Sequence, residues 1–453
     1  MRHQFHGAAR QTRIDLVHAG VDQFTEIPHL LAQREDLVYH LVHGPADHQV
    51  IQHAFQRQQA VVLVGVALDE VLADLGARVI KVEHPGTGDD TRQWGPPFVG
   101  TESAYFLSVN RNKESVSLDF KHTGGRDVLA RLVARADVLV ENFKVGGLAQ
   151  YGLDYASLKA LNPRLIYCSV TGFGQDGPYA PRAGYDLMIQ AMSGMMSITG
   201  RADEVPGGGP LRVGVALTDL FTGVYACSAI LAAIEVRHRT GEGQHIDMAL
   251  LDVGMAILAN QAGGFLNTGA VPQRMGNSHP SLAPYQDFPT ADGAMLLAIG
   301  NDGQFARFCQ AAGHPEWATD ARYASNTLRV QHRSVLIPAM EAATRTRSTA
   351  AWIALLEDKA VPCGAINDIG QAFADEQVLS RALRVSQPLS PATTKQSHIE
   401  SIASVASPLR LGATPPVLHR APPMLGEHTD EVLAGLGLAA EAVAGLRAQG
   451  VVG

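Results

Sequence analysis

One carboxylate in this chain stands in surroundings that are otherwise apolar or small. Asp219 lies in residues 214–223, which read GVALTDLFTG, and an apolar run of helical character follows at residues 224–236. Thr218 and Asp219 are both types that cap the free N–H groups at the start of a helix. A carboxylate shielded from water can instead act as a nucleophile, an acid or a base. The local sequence leaves both interpretations open.

A second motif, at residues 172–177, has the GxGxxG spacing of dinucleotide-binding proteins and follows an apolar run. That motif works where its third glycine lies in a helix whose N-terminus faces a pyrophosphate. Pro178 and Pro181 follow at once, so no helix can begin there. We therefore do not expect nicotinamide or flavin chemistry.

Periodicity predicts the elements that must position these groups. A helix whose apolar face spans residues 128–136 is expected, with Thr123 as its cap. Strand and helix in succession predict an α/β fold with a Rossmann-like parallel sheet. Ala291, Asp292 and Gly293 predict the turn of a hairpin that opens a smaller α+β domain. The expected strands are 78–82, 115–120, 137–140, 164–170, 285–289 and 294–299, and the other expected helices are 211–236, 246–266, 305–312, 350–357 and 429–446.

Bulk composition narrows the functional classes. The 453 residues carry a net charge of −8, which argues against general nucleic-acid binding. The four cysteines, without CxxC spacing, are typical of a reducing compartment, and no metal-site spacing is present. We expect no run long enough to span a bilayer and no secretory signal. These features predict a cytoplasmic protein with two domains or one large elaborated domain.

The first 60 residues differ in texture from the rest. They hold eight of the 18 histidines and show little periodicity. We interpret residues 1–60 as an atypical, poorly ordered extension or the product of a mistaken gene start. The predicted division continues with a large α/β domain at 61–235, a helical linker at 236–274, a small domain at 275–375 and a return to the large domain at 376–453.

Several motifs occur together and in a fixed order: KVEHPG at 81–86, NRNK at 110–113, RAGYDLMIQAMSG at 182–194, TGEGQHID at 240–247 and PPMLGEHT at 422–429. Together with the pattern around Asp219, they closely resemble the class III CoA-transferase family, which includes formyl-CoA transferase and carnitine CoA-transferase. The resemblance runs from about residue 69 to the C-terminus. It implies the interlocked-dimer fold of that family, in which each ring-shaped subunit of a homodimer threads the other.

The resemblance also implies an activity and a site. Asp219 is expected to be the nucleophile that passes CoA from an acyl-CoA to a carboxylic acid through an aspartyl anhydride and an aspartyl-CoA thioester, with CoA as substrate and no permanently bound cofactor. Gly276, Asn277 and His279 are expected to meet the acceptor acid. The residues expected to contact CoA are His84, Leu118, Asp119, Phe120, Lys121, Asn142, Phe143, Lys144, Gln150, Ala183, Gly184, Tyr185 and Asp186.

Three features bear on the exact activity. The family often carries a basic residue where this chain has His84 and Gln150, so phosphate binding is expected to be weaker here. Racemases of the family have a histidine at the position of Tyr185, and a phenol is a poor base at neutral pH, which favours transfer over racemisation. Residues 277–286 look most like transferases acting on succinyl-CoA and dicarboxylates.

A third alternative, a non-catalytic CoA-binding protein, stays open at this point. In the family, the first strand and the turn after it contact the CoA thioester. Here the equivalent stretch is residues 57–66, and the apolar LVGV at 63–66 replaces the expected polar turn.

Overall fold

The structure, a computed structural model, describes residues 60–64, 70–389, 394 and 399–453. The expectation for residues 1–59 and the altered turn at Gly65 and Val66 lie outside the described residues. The described residues belong to one compact unit, Phe55–Gly453.

A six-stranded parallel sheet forms the centre of the fold, in the order β5-β2-β1-β6-β7-β8. The strand expected within residues 57–66 is present as β1, between β2 and β6. Strands β5 and β7 are buried throughout, as is usual for a parallel sheet covered on both faces. The strands are β1 (Ala60–Val64), β2 (Arg78–Glu83), β3 (Phe98–Val99), β4 (Glu102–Ser103), β5 (Lys113–Ser117), β6 (Ala136–Glu141), β7 (Ile166–Thr171), β8 (His245–Ala249), β9 (Tyr285–Pro289), β10 (Ala294–Ala298), β11 (Cys363–Ala365), β12 (Arg384–Pro388) and β13 (Ser401–Val405).

Helices cover both faces of this sheet, which confirms the predicted α/β class. Two further turns, Asp90–Gln93 and Ala149–Tyr151, are 3₁₀ helices. The described α-helices are α1 (Glu70–Asp74), α2 (Ala104–Val109), α3 (Thr123–Arg135), α4 (Tyr155–Leu161), α5 (Asp186–Met192), α6 (Met195–Ile198), α7 (Leu217–Thr240), α8 (Leu250–Ala256), α9 (Ala259–Thr268), α10 (Asp302–Ala312), α11 (Glu316–Thr319), α12 (Asn326–Gln331), α13 (Arg333–Thr344), α14 (Thr349–Asp358), α15 (Ile369–Ala374), α16 (Glu376–Ser380), α17 (Thr429–Gly435) and α18 (Ala440–Ala448).

Three of the four hydrophobic cores among the described residues involve these layers. Helices α3, α4, α17 and α18 share one core with one face of the sheet. Helices α1 and α7 pack against the opposite face. The antiparallel sheet β11-β10-β9 has a separate core with α10, α13 and α14. The C-terminal helices therefore pack on the same sheet as the N-terminal strands.

Several local predictions needed correction. The helix expected from residue 211 begins at Leu217. Residues 246–249 of the helix expected at 246–266 belong instead to β8, which pairs with β7 along its full length. The cap of α3 is His122, whose Nδ1 accepts a hydrogen bond from the Gly124 amide, rather than Thr123. The amphipathic stretch 429–446 forms two helices, α17 and α18, rather than one.

Helix α7 also corrects the expectation about membrane-spanning length. Within the described part of the chain it alone is long and apolar enough to cross a bilayer by length and composition. Core helices pass the same test, and α7 buries residues such as Ala226 and Ile230 against the sheet. Arg237, near its end, forms an ion pair with Asp137 of β6.

Candidate active site

Asp219 is the third residue of α7 and is partly buried. The cap position belongs to Ala216, which makes no side-chain capping bond. Asp186 fills that role from outside, since its Oδ1 accepts hydrogen bonds from the Thr218 amide at 2.9 Å and the Thr218 hydroxyl at 2.7 Å. The capping interpretation of Thr218 and Asp219 is therefore wrong, and the Asp219 carboxylate is not committed to the helix start.

Asp186 is fixed at its other oxygen as well. Its Oδ2 accepts from Gln190 Nε2 at 2.7 Å, and Gln190 Oε1 accepts from the Val213 amide at 2.9 Å. Gln190 is fully buried. These bonds tie α5 to the chain entering α7, so Asp186 sets the position of the first turn that carries Asp219.

The electrostatics of Asp219 differ from those of an ordinary surface carboxylate. Burial raises the pKa of Asp219 to about 6, and the charge of Asp186 contributes to the same shift. Burial disfavours the charged form, and a nearby like charge disfavours it further. The carboxylate is thus ionised at neutral pH but poorly solvated, a state suited to nucleophilic attack.

Tyr105 is a residue of this region that the sequence reasoning missed. Burial raises the pKa of Tyr105, and the charges of Asp219 and Asp186 raise it further, so its phenol lies within electrostatic range of both carboxylates. Its ring meets that of Trp94 edge to face at 5.2 Å. The only local signal was Ser103, which caps α2 through the Phe106 amide.

The segments expected to bind CoA follow strands of the central sheet. His84 follows β2, residues 118–121 follow β5 and residues 142–144 follow β6. The carboxyl ends of parallel strands lie at one edge of the sheet, where α/β proteins bind ligands. The Leu118 amide donates to the Glu83 carbonyl at 2.8 Å, which places Leu118 beside His84.

An aromatic cluster joins three of these segments. The Phe120 ring lies 5.8 Å from that of Phe143 and 5.9 Å from that of Tyr151, both edge to face. Tyr151 follows Gln150 directly, so the sites at 118–121, 142–144 and 150 are neighbours. The structure therefore brings together residues that the sequence places up to 32 positions apart.

The polar side chains at this edge of the sheet differ in whether they are already hydrogen-bonded within the protein. Lys121 and Lys144 are exposed, and neither forms a salt bridge within the described ranges. Gln150 turns back on its own loop and donates to the Gly147 carbonyl at 3.0 Å. His84 is exposed, with Nδ1 donating to the Pro85 carbonyl at 2.8 Å. Lys121 and Lys144 are therefore the candidates at this edge for binding a phosphate group of CoA.

Ala183, Gly184 and Tyr185 lie on the loop that leads from β7 to α5. This loop closes at its neck, where a Cβ on Gly184 would stand 2.4 Å from Gly172 Cα. The contact holds Tyr185 and Asp186 near the end of β7, while the Tyr185 side chain is 69% exposed. Helix α5 begins only at Asp186, so the GxGxxG match lies in a closed loop and not at a helix start.

Of the three residues expected to meet the acceptor acid, Asn277 and His279 are hydrogen-bonded to β9. Asn277 Nδ2 donates to Asp287 Oδ1 at 3.1 Å, and the His279 amide donates to the Tyr285 carbonyl at 3.0 Å. Gly276 donates its amide to the Gly200 carbonyl at 3.0 Å. No hydrogen bond or ion pair joins these three residues to Asp219 in the part of the chain that the structure describes.

Comparison with known proteins identifies the class that this fold and site define. The chain belongs to CoA-transferase family III, whose family model matches residues 58–429. It is a CoA-transferase, an enzyme that uses CoA thioesters as substrates.

Individual relatives are similar over most of their length. The succinate–glutarate CoA-transferase of Agrobacterium fabrum is 49% identical over 383 residues, which cover 83% of this chain and 93% of that protein. The succinyl-CoA:glutarate CoA-transferase of Mus musculus is 44% identical and covers 82% of this chain and 83% of its own. A CaiB/BaiF family protein from Brucella suis superposes with a TM-score of 0.73 at 44% identity, covering 83% of this chain and 98% of that one.

Proposed function

We propose that this enzyme moves CoA from succinyl-CoA to a dicarboxylic acid of about the size of glutarate, with Asp219 as nucleophile. The observation that carries the proposal is the state of Asp219, a partly buried carboxylate whose pKa is about 6 and whose helix is held by Asp186. The dicarboxylate specificity is supported by the relatives that are named for succinate and glutarate.

The proposed chemistry begins at the thioester carbonyl. The Asp219 carboxylate attacks the succinyl carbonyl and expels CoA thiolate, which leaves a mixed aspartyl–succinyl anhydride. The thiolate then attacks the aspartyl carbonyl and releases succinate, so that Asp219 carries CoA as a thioester. The acceptor carboxylate repeats the two steps in reverse order, forms its own CoA thioester and regenerates Asp219. No oxidant, metal or water is consumed.

Transfer fits this site better than racemisation. Tyr185 precedes Asp186 where racemases of the family have a histidine, and its side chain makes no hydrogen bond within the described residues. A phenol does not exchange protons readily at neutral pH.

His279 is our candidate for contact with the acceptor. Its Nδ1 accepts a hydrogen bond from the Ser281 amide at 3.0 Å, so the proton of the neutral ring is on Nε2 and can be donated to a carboxylate. The side chain of Ser278 donates to Gln286 Oε1 at 2.9 Å, beside the Asn277–Asp287 bond. Residues 277–279 are therefore held against β9 by a series of hydrogen bonds.

We also propose that the enzyme is an interlocked homodimer. The first turns of α7 expose large apolar side chains directly after Asp219, and α8 and α9 expose more of them. A second copy that covered this surface would exclude water from the anhydride and thioester. The exposed side chains are Leu220, Phe221, Val224, Tyr225, Met255, Phe265 and Leu266. Light scattering of the purified enzyme at micromolar concentration is expected to give twice the mass of one chain.

A cytoplasmic location is part of the same proposal, because the four cysteines lack CxxC spacing, which is typical of a reducing compartment. Cell fractionation that recovered the enzyme from a membrane or secreted fraction would overturn it.

The test of the transfer is a direct assay. Purified enzyme is mixed with succinyl-CoA and glutarate, and the CoA esters are separated by chromatography. We expect glutaryl-CoA and free succinate in equal amounts, with Asp219→Asn inactive. Asp252→Asn is the matched control, because Asp252 is the third residue of α8 but is exposed. Turnover only with monocarboxylic acids would overturn the dicarboxylate assignment.

A further inference from the structure

We infer that residues 451–453, here named the C-terminal clasp, hold the CoA-binding segment 118–121 in its binding conformation. The inference rests on the proposed function. The Asp119 amide donates to the Val451 carbonyl at 2.8 Å, and Leu118 forms an antiparallel bridge with Val452. Residues more than 330 positions apart in the sequence are thus paired.

The clasp is packed into the hydrophobic core. Val451 is 1% exposed and Val452 is 2% exposed, and both belong to the same core as Leu118. Arg447 adds a second connection, since it forms an ion pair with Asp430 at 2.6 Å and contacts the Gly453 carbonyl at 3.4 Å.

The position of β5 explains why the segment needs a clasp. β5 is an edge strand of the central sheet, and it ends at Ser117. On one side, the Leu118 amide is bound by the Glu83 carbonyl of β2. The clasp pairs with the following residue, so it completes the hydrogen bonding of the chain as it leaves the sheet edge.

Asp119 transmits this tether to the residues that face the ligand. Its Oδ1 accepts from the Lys121 amide at 2.9 Å, and its carbonyl accepts from the His122 amide at 3.3 Å. The first turn of α3 also packs closely against Asp119, since a Cβ on Gly125 would lie 1.9 Å from the Asp119 carbonyl oxygen. A fixed Asp119 therefore fixes the turn that presents Phe120 and Lys121.

The clasp residues act through Asp119 and are positioning residues. Asp219 is held separately, by Asp186 through Thr218. Loss of the clasp should therefore weaken CoA binding and leave the chemical step largely intact. In kinetic terms, KM for succinyl-CoA rises while kcat stays close to that of the wild type.

The experiment compares a chain ending at Gly450 with the double variant Val451→Ala, Val452→Ala. The double variant loses apolar burial but keeps the main-chain carbonyl that Asp119 needs. We expect about a tenfold rise in KM for succinyl-CoA in the truncated enzyme, with kcat within about twofold of the wild type, and less than about a threefold rise in KM in the double variant. Hydrogen exchange at residues 118–122 should accelerate only in the truncated chain.

Two results would overturn the clasp. One is a truncated enzyme with wild-type KM and unchanged hydrogen exchange at residues 118–122. The other is an equal rise in KM in both variants, which would indicate a general loss of stability. If the truncated chain does not fold, Asp119→Pro removes the amide that donates to Val451. Asp119→Ala is the matched control, because it also lacks the carboxylate but keeps the amide. Wild-type enzyme without any transfer activity would contradict the proposed function instead, while hydrogen exchange still reports whether the clasp orders the segment.

Discussion

Replacing Asp219 by asparagine should stabilise the protein at neutral pH while it abolishes transfer. The pKa of Asp219 is raised from 3.8 to about 6, chiefly by burial and then by the charge of Asp186. Between these two pH values the folded state binds more protons than the unfolded state, so the free energy of unfolding falls as pH rises through this window. At pH 8 the full penalty is present, and below about pH 4 it is absent.

The size of the effect follows from the two pKa values. At 1.36 kcal/mol per tenfold change in proton affinity, the penalty is about 3 kcal/mol at pH 8 and roughly half of that at pH 5. Asparagine carries no charge and escapes this penalty. It also loses the favourable interaction of a carboxylate with the helix N-terminus, worth about 0.3–1 kcal/mol. The net gain in stability for Asp219→Asn is therefore about 2 kcal/mol at pH 8.

Urea unfolding at pH 8 and pH 5 measures this difference, with Asp252→Asn as the control. Asp252 occupies the same position in α8 but is exposed, so its replacement should destabilise slightly, by about 0.3–1 kcal/mol. The reasoning is refuted if Asp219→Asn is no more stable than wild type at pH 8. It is equally refuted if the gain in stability is the same at both pH values.

Three further predictions concern Asp186, Lys144 and Gly184. Asp186→Asn removes the like charge and should therefore lower the pKa of Asp219. The acid limb of the pH profile of kcat/KM, expected near pH 6, should then move to lower pH. An acid limb that does not move would contradict this prediction. If Lys144 contacts the CoA phosphates, Lys144→Ala should raise KM for succinyl-CoA several-fold at low salt and less at high salt. A KM that does not change with this substitution would show that Lys144 makes no such contact. Gly184→Ala should lower Tm and activity, because its new Cβ would collide with Gly172 at the neck of the loop. Gly214→Ala, which has open space around its Cβ, should retain both. Thermal melts and kcat measurements test this difference.

Most of the central sheet could be predicted from the sequence because its strands are short runs separated by helical spacing, although β5 lies at residues 113–117 and not at the expected 115–120. The hairpin around Asp292 was also correctly placed, since β9 and β10 flank a clear turn signal. Strand β8 was missed because its five residues run directly into α8, with no turn residue between them. The cap of α3 was missed because histidine is not among the usual capping types.

The candidate site could be predicted from the sequence only where its signals are local. Asp219 was singled out because it stands alone among apolar neighbours, and the structure shows why it is free. Its helix is capped by Asp186, 32 residues before the capped Thr218, and no single-sequence pattern reports such a bond. Tyr105 and the C-terminal clasp were missed for the same reason, since both reach the site through the tertiary fold.

The most direct test of the central claim is to trap the covalent intermediate on Asp219. Enzyme is incubated with succinyl-CoA alone, treated with borohydride, which reduces an aspartyl thioester to an alcohol, and digested for peptide mass spectrometry. We predict a reduced peptide with the change located at Asp219, in the wild type and in Asp252→Asn but not in Asp219→Asn. Active enzyme that turns over succinyl-CoA and glutarate, yet shows no modification or a modification at another residue, would contradict the claim.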